Sequence, residues 1–257
     1  MLVAITREVS PAIGACELTH LQRAAIDVER ARAEHRAYEA SLAGAGCRIE
    51  RLEAGPDMPD SVFVEDTAIV FDELAILARP GAESRRKETR AVADALVRYR
   101  RVHAIEAPAT VDGGDVLVVG RHVYVGRSQR TNDAGVEQMR RALAPFGYQV
   151  EPVAVEGCLH LKSAVTLVGD GLLLTNPAWV PLEPFRLFDR VDVHPEEPWA
   201  ANALWLGDRI IYPAAWTRTG ERLEKHGVTV CRVQARELAK AEGAVTCCSL
   251  IVEANPG

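Results

Sequence analysis

The sequence predicts an α/β fold: a five-unit, pseudo-symmetric propeller whose repeat is strand, strand, helix, strand. Three observations predict it. Pairs of apolar, strand-like runs joined by turns carrying Gly, Asp or Glu recur along the chain. Asp66, Gly113, His160, Asn202 and Cys247, taken as markers at the start of each pair, are 47, 47, 42 and 45 residues apart, a regular period. Between the pairs the apolar residues change to helical spacing.

The first pair is FVEDTAIVFDELAILARPG, followed by a helix expected over 83–100 (ESRRKETRAVADALVRYR) and the strand VHAIEA. The second is VDGGDVLVVGRHVYVGRSQRT, with a helix over 132–147 that opens at an Asn or Asp cap and ends near Gly147, then YQVEPVAV. HLKSAVTLVGDGLLLTNPAW leads into a stunted helix, PLEPFRLFDR, and VDVHPE. AANALWLGDRIIYPAAWTR leads into TGERLEKHG and VTVCRV. The fifth unit is complete only if TCCSLIV pairs with LVAIT at residues 2–6, followed by a helix over 19–43 and the strand CRIERL. Pairing the two ends closes the ring and removes free sheet edges. The proline clusters NPAWVPLEP and HPEEP read as loops rather than linkers, so residues 1–257 are expected to form one closed domain.

At 257 residues, 48% hydrophobic and 26% charged, the chain has ordinary globular composition. Its net charge of -6 argues against nucleic-acid and anionic-membrane partners and suits a small cationic ligand. MLVAITREVS has no secretion-signal pattern and no run of eighteen apolar residues exists, so a cytoplasmic protein is expected. Six cysteines in a reducing compartment are expected to stay free. The four tryptophans, Trp179, Trp199, Trp205 and Trp216, are expected in the core rather than at an interface, and the oligomeric state, monomer or homodimer, is left open.

In a rotational repeat the starts of all the first strands point to one end of the axis. Those starts carry Glu65, Asp66, Asp112, His160 and Cys247. A thiol, an imidazole and carboxylates brought together in this way are what a Cys/His hydrolase needs. A cysteine is more often a small buried apolar residue, and Cys16, Cys47, Cys158 and Cys231 are read so. Strand alternation would send Cys247 and Cys248 to opposite faces, so at most one enters the site, and zinc held by both with His160 is disfavoured. DGGD at 112–115 can be read as a plain turn. Glu65 and Asp66 lie within SVFVEDTAIV, where charge is costly without a partner. A buried cationic ligand would supply one.

Together DSVFVEDTAIV (60–70), RPGAESRRKE (79–88), DGGDVL (112–117), GRSQRTN (126–132), LHLKS (159–163) and TCCS (246–249) resemble the dimethylarginine dimethylaminohydrolases of the guanidine-modifying pentein superfamily. The resemblance spans nearly the whole chain and implies a five-unit α/β propeller. It makes Cys247 the nucleophile and Cys248 a packing residue, with His160 as general acid/base and Asp112 holding its ring. Asp66 would bind the guanidinium, supported by Glu65, with the Ala241 carbonyl facing it. Asp60, Arg85, Arg130 and the Leu18 carbonyl would hold the amino-acid end, although Arg85 can also be read as a first-turn residue of a charged helix.

The implied reaction is hydrolysis of free Nω-methylated arginines to citrulline and methylamine or dimethylamine through a covalent thioether, with no metal or organic cofactor. Two rivals stay open. One is a sister enzyme such as an arginine deiminase, typically longer by an inserted helical domain for which the marker spacing leaves no room. The other is a non-catalytic propeller, as in a translation initiation factor that binds a ribosomal subunit. Substrate choice would also depend on a lid, placed around residues 10–20.

Overall fold

The computed structural model describes residues 1–254. In chain order it contains β1 (Leu2–Arg7), α1 (Val28–Gly44) and β2 (Arg48–Leu52). The next unit is β3 (Ala68–Val70), β4 (Leu74–Leu77), α2 (Thr89–Leu96) and β5 (Arg101–Ala104). It is followed by β6 (Val116–Val119), β7 (His122–Arg127), α3 (Asp133–Leu143) and β8 (Gln149–Ala154). Next come β9 (Val165–Gly169), β10 (Leu172–Thr175) and β11 (Asp189–Asp192). The last stretch is β12 (Leu204–Trp205), β13 (Ile210–Pro213), α4 (Thr217–Lys225), β14 (Val230–Val233), α5 (Arg236–Ala239) and β15 (Leu250–Glu253).

These strands form five three-stranded sheets. In each, the central strand is antiparallel to the inner one and parallel to the outer one, the connection that requires a crossover segment between the parallel pair. β15 pairs with β1, placing Leu2 opposite Glu253 and Ile5 opposite Leu250, so the two ends complete one unit as the repeat requires. Val3, Ile5, Leu250 and Val252 are at most 5% exposed and pack with Val64, Ala68 and Val92 of the next unit. Burying each such side chain contributes roughly 1.5–3 kcal/mol. The inner strands of all five sheets surround an axial cavity of about 270 Å³.

Three expected helices change at their ends. Residues 19–27 are loop, and α1 starts only where Asp27 accepts a hydrogen bond from the Arg30 N–H at 3.0 Å. The 83–100 segment opens with a 3₁₀ turn, Glu83–Glu88, because Arg85 and Glu88 are drawn into the interior, and it is helical only to Leu96. α3 is capped by Asn132, whose side chain accepts from the Gly135 N–H, and Pro145 tightens its end into a 3₁₀ turn before Gly147 at φ 77°. The stunted segment is a single 3₁₀ turn, Glu183–Phe185.

The marker residues also sit differently. Val64–Thr67, Gly113–Asp115, Leu161–Ser163 and Thr246–Cys248 are 3₁₀ turns that precede the inner strands. Cys247 and Cys248 therefore do not alternate across a strand, and what separates them is the direction of a turn. The tryptophans are a partial correction: Trp179, Trp205 and Trp216 are half-buried against the core, whereas Trp199 is 38% exposed and packs its ring on that of Trp179, 4.6 Å away. All six cysteines are free, and among the described residues no helix is long and apolar enough to cross a membrane.

Candidate active site

Four of the five units each contribute one 3₁₀ turn to the hub, and the turns pack side by side around the axis. In the first, Glu65 and Asp66 are both buried. A buried carboxylate survives only with partners. Asp66 has them: Oδ1 accepts from the Gly114 N–H at 3.0 Å and Oδ2 from Arg85 Nη1 at 2.6 Å. Burial alone would raise its pKa, but His160 and Arg85 outweigh it and hold the carboxyl at about 2.

Asp112 precedes the second turn and is fully buried. Its Oδ1 accepts from the Gly81 N–H at 2.8 Å, and its Oδ2 lies 3.1 Å from His160 Nε2. Gly114 must be glycine, since a Cβ there would stand 2.5 Å from His160 Nδ1 and 2.7 Å from Asp66 Oδ1. Asp115, read in the sequence only as part of a turn, ties three segments together. Its Oδ1 accepts from the Leu161 N–H at 3.0 Å and its Oδ2 from the Ser128 and Thr131 hydroxyls at 2.6 and 2.7 Å.

His160 enters just before the third turn and is 4% exposed. Burial favours its neutral form, yet Asp66 with Nδ1 at 3.7 Å, Asp112 and Asp115 together raise its pKa to about 9. At neutral pH the ring is an imidazolium.

The fourth turn carries the thiol. Its first residue is held on both sides: the Thr246 N–H donates to Asn202 Oδ1 at 3.1 Å and the Thr246 hydroxyl to Glu65 Oε2 at 2.7 Å. Lys162 Nζ, 2.6 Å from Glu65 Oε1, balances that carboxylate. Cys247 Sγ accepts from the Ala244 N–H at 3.4 Å, whereas Cys248 is buried and its thiol points to the Ala244 carbonyl. Burial, followed by the charges of Glu65 and Asp66, pushes the Cys247 pKa well above the ordinary thiol value. The unliganded site therefore holds a thiol, not a thiolate.

Cys247, His160, Asp66, Asp60, Arg85, Arg130 and Ala241 line one cavity of about 20 Å³. That is room for about one water molecule. Asp112 stands behind His160, and Glu65 faces Thr246 and Lys162 beneath the cavity. Leu18 lines the mouth, an open cleft of about 610 Å³ that also reaches Arg130.

The two arginines differ. Arg85 is buried, not on an exposed helical turn: Nε and Nη2 donate to Glu88 Oε2 at 3.1 and 3.0 Å, and Nη2 also reaches the Phe63 carbonyl at 3.1 Å. Arg130 donates to the Thr19 hydroxyl at 3.1 Å, and among the described residues it has no carboxylate within ion-pair distance. Asp60 accepts from the Glu17 N–H at 3.1 Å and is pushed up by burial.

Above the cavity runs the 17–21 loop. Its Thr19, His20 and Leu21 N–H groups converge on the carboxylate of Glu242, at 3.1, 2.6 and 2.6 Å. Nothing in the sequence marks Glu242 for this role. Lys162 and Asp115, in contrast, sit inside the quoted strings LHLKS and DGGDVL. Donor atoms of Asp66, Asp112 and His160 lie within 4.8 Å of one another, but each is committed to the hydrogen-bonded network just described.

The family description "N,N dimethylarginine dimethylhydrolase, eukaryotic" matches residues 16–174. An N(G),N(G)-dimethylarginine dimethylaminohydrolase of Streptomyces coelicolor is 41% identical over 249 residues, 96% of this chain and 95% of that one. The chain belongs to the dimethylarginine dimethylaminohydrolase family. A second such relative, from Pseudomonas aeruginosa, is 38% identical over 226 residues, 87% of this chain and 89% of its own. A solved structure of the Pseudomonas aeruginosa family member, a cysteine-to-serine variant complexed with citrulline, superposes with a TM-score of 0.92 at 35% identity, covering 96% of this chain and 98% of that one. The matched segment holds three of the four turns, with Asp66, Asp112 and His160, and the 17–21 loop.

Proposed function

We propose that this chain, as a single catalytic domain in the cytosol, hydrolyses free Nω-methylated L-arginines to L-citrulline and methylamine or dimethylamine. The observation that carries the reading is that the Cys247 thiol, the His160 imidazole and the Asp66 carboxylate line one small, shielded cavity. Its chemistry suits a guanidinium, because the opened site would offer negative charge and a polarisable nucleophile at once.

In this reading Asp66 fixes the plane of the bound guanidinium, with the Ala241 carbonyl facing it. Glu65 supports the site from below. The substrate's positive charge offsets the carboxylates that hold the thiol protonated, so Cys247 gives up its proton to solvent on binding. The thiolate attacks the central carbon from the face of the plane. His160 passes its proton to the departing nitrogen, the alkylamine leaves, and an amidino-thioether remains on Cys247. The neutral imidazole, held by Asp112, then takes a proton from water as the oxygen attacks. Collapse of the second adduct expels the thiolate and leaves citrulline.

Arg130, which has no carboxylate partner among the described residues, takes the substrate carboxylate, assisted by Arg85, while Asp60 and the Leu18 carbonyl take its ammonium. A water-sized cavity cannot hold an arginine side chain. The 17–21 loop must move for the substrate to enter. No metal or organic cofactor takes part.

The test is citrulline release from asymmetric dimethylarginine, monomethylarginine and arginine, with Cys247→Ser as control. Release from the methylated substrates, abolished in Cys247→Ser, is the expected result. Release from arginine alone would move the activity to a deiminase, and release from none would overturn the hydrolase reading.

A further inference from the structure

Beside the reaction cavity lies a second, larger one of about 340 Å³, walled by Trp199, Pro213, Ala215, Trp216 and Ala239 and covered by Leu21. Its volume and its apolar, partly aromatic wall are those of a small-molecule site. The two cavities share Leu159, Glu242 and Gly243, so they meet along a shared layer of residues. That shared layer touches the chemistry. Leu159 immediately precedes His160, and Ala244, which lines the larger cavity, donates its N–H to the Cys247 sulfur.

Direction follows from the acid. In the proposed reaction the departing nitrogen is the one that His160 protonates, so it stands on the imidazole side of the guanidinium. Any substituent on that nitrogen is then nearest to Leu159, and beyond Leu159 the space is apolar. The reaction cavity itself, about 20 Å³, has no volume for more than a very small group. Small side chains at Ala244, Ala215 and Ala239 leave the neighbouring space open.

We propose that the 340 Å³ cavity is a subsite for the alkyl substituent on the departing nitrogen, and that the chain accepts Nω-alkyl-L-arginines carrying straight chains of several carbons. The inference rests on the hydrolase reading above and extends its substrate class. Each methylene that enters an apolar cavity from water strengthens binding, by about two- to fourfold when largely buried.

Two measurements on the intact chain test it. Calorimetry with Cys247→Ser, which cannot turn over, compares Nω-methyl-, Nω-propyl- and Nω-pentyl-L-arginine. Affinity is expected to climb with chain length and to lose that climb when Ala215→Trp or Ala239→Trp fills the cavity. Citrulline release in the otherwise native chain gives the second readout: the pentyl-to-methyl ratio of kcat/KM should fall at least tenfold in either tryptophan variant. Affinity that is flat or falls with chain length, or a ratio untouched by both variants, overturns the subsite. Absence of turnover with every substrate would count against the hydrolase reading alone, because the calorimetric series still decides whether alkyl chains enter the cavity.

Discussion

His160 Nε2 lies 3.1 Å from Oδ2 of the fully buried Asp112, and that contact helps to hold the ring in its protonated form. With its pKa raised to about 9, His160 stays an acid through neutral pH. Asp112→Asn removes the charge behind the ring. The alkaline limb of the kcat/KM profile should then move to lower pH, and kcat should fall roughly 100-fold or more, the scale of one lost proton-transfer partner. Asp112→Glu should restore part of both. An alkaline limb that stays put in Asp112→Asn would mean that Asp112 serves packing only.

The same shift makes stability depend on pH. Because the folded pKa of His160 is above its ordinary 6.5, its contribution is complete below about pH 6.5 and is lost as pH rises through about 9. Urea unfolding of Cys247→Ser should therefore show stability dropping by roughly 1–3 kcal/mol between those limits. Asp66 works at the other end: its depressed pKa stabilises the fold above the unfolded carboxylate value, and this is lost as pH falls through about 2. His160→Gln should flatten the alkaline decline. A slope identical in both variants would assign the decline to other groups.

Cys247 should behave as an unreactive thiol until a cation arrives. Its raised pKa, caused by burial and then by Glu65 and Asp66, predicts slow alkylation by neutral iodoacetamide at pH 7, rising with pH. A cationic amidine carrying the same kind of leaving group should modify it much faster at neutral pH. Equal rates for the two reagents would show that the neighbouring carboxylates do not control the thiol.

Much of this arrangement is legible in the sequence, because rotational repetition converts a regular spacing into a common location. The intervals between Asp66, Gly113, His160, Asn202 and Cys247 are enough to place four turns at one end of the ring without any knowledge of their contacts. What stays hidden is local. The turns read as strand starts because VEDT, LKS and TCC run straight into apolar strands, and only their mutual packing makes them 3₁₀. The 19–27 stretch reads as the start of a helix because LQRAAI has good helical composition, whereas its Thr19, His20 and Leu21 N–H groups are taken by a carboxylate more than two hundred residues away. Arg85 gave two readings, carboxylate ligand or surface residue. In the structure it is buried between Asp66 and Glu88, a pairing that depends on a three-dimensional neighbourhood.

Gly114 tests how tightly the hub is packed. A methyl group there would meet His160 and Asp66 at once, at 2.5 and 2.7 Å, and both partners are buried and hydrogen-bonded. Neither is a flexible chain end that can swing aside. Gly114→Ala should lower kcat by about 100-fold or more through a displaced imidazole, and should destabilise the fold by about 1–3 kcal/mol. Gly120→Ala, with open space around its Cβ but φ at 58°, should cost stability through its backbone alone and leave kcat near native. Near-native kcat in Gly114→Ala would show that the hub yields more easily than its geometry implies.

Glu242 holds the loop that the proposed reaction requires to open. Its backbone lies at φ 57°, a region that favours glycine, and its carboxylate gathers the Thr19, His20 and Leu21 N–H groups. Holding that conformation costs energy, so the three charge-assisted hydrogen bonds must return more than the strain. Glu242→Ala should release the loop by about 1–3 kcal/mol. Two consequences separate a latch from a general structural role. Trypsin should cut at the exposed Arg23 several-fold faster in the variant, while urea unfolding monitored on the rest of the chain changes little. KM for methylarginine should rise about tenfold with kcat less affected, because substrate must then supply the ordering that Glu242 now provides. Addition of saturating citrulline should slow the cleavage again. Unchanged proteolysis in Glu242→Ala, or a loss confined to global stability, would mean that the loop is held by its contacts with Arg130 and Asp60 instead.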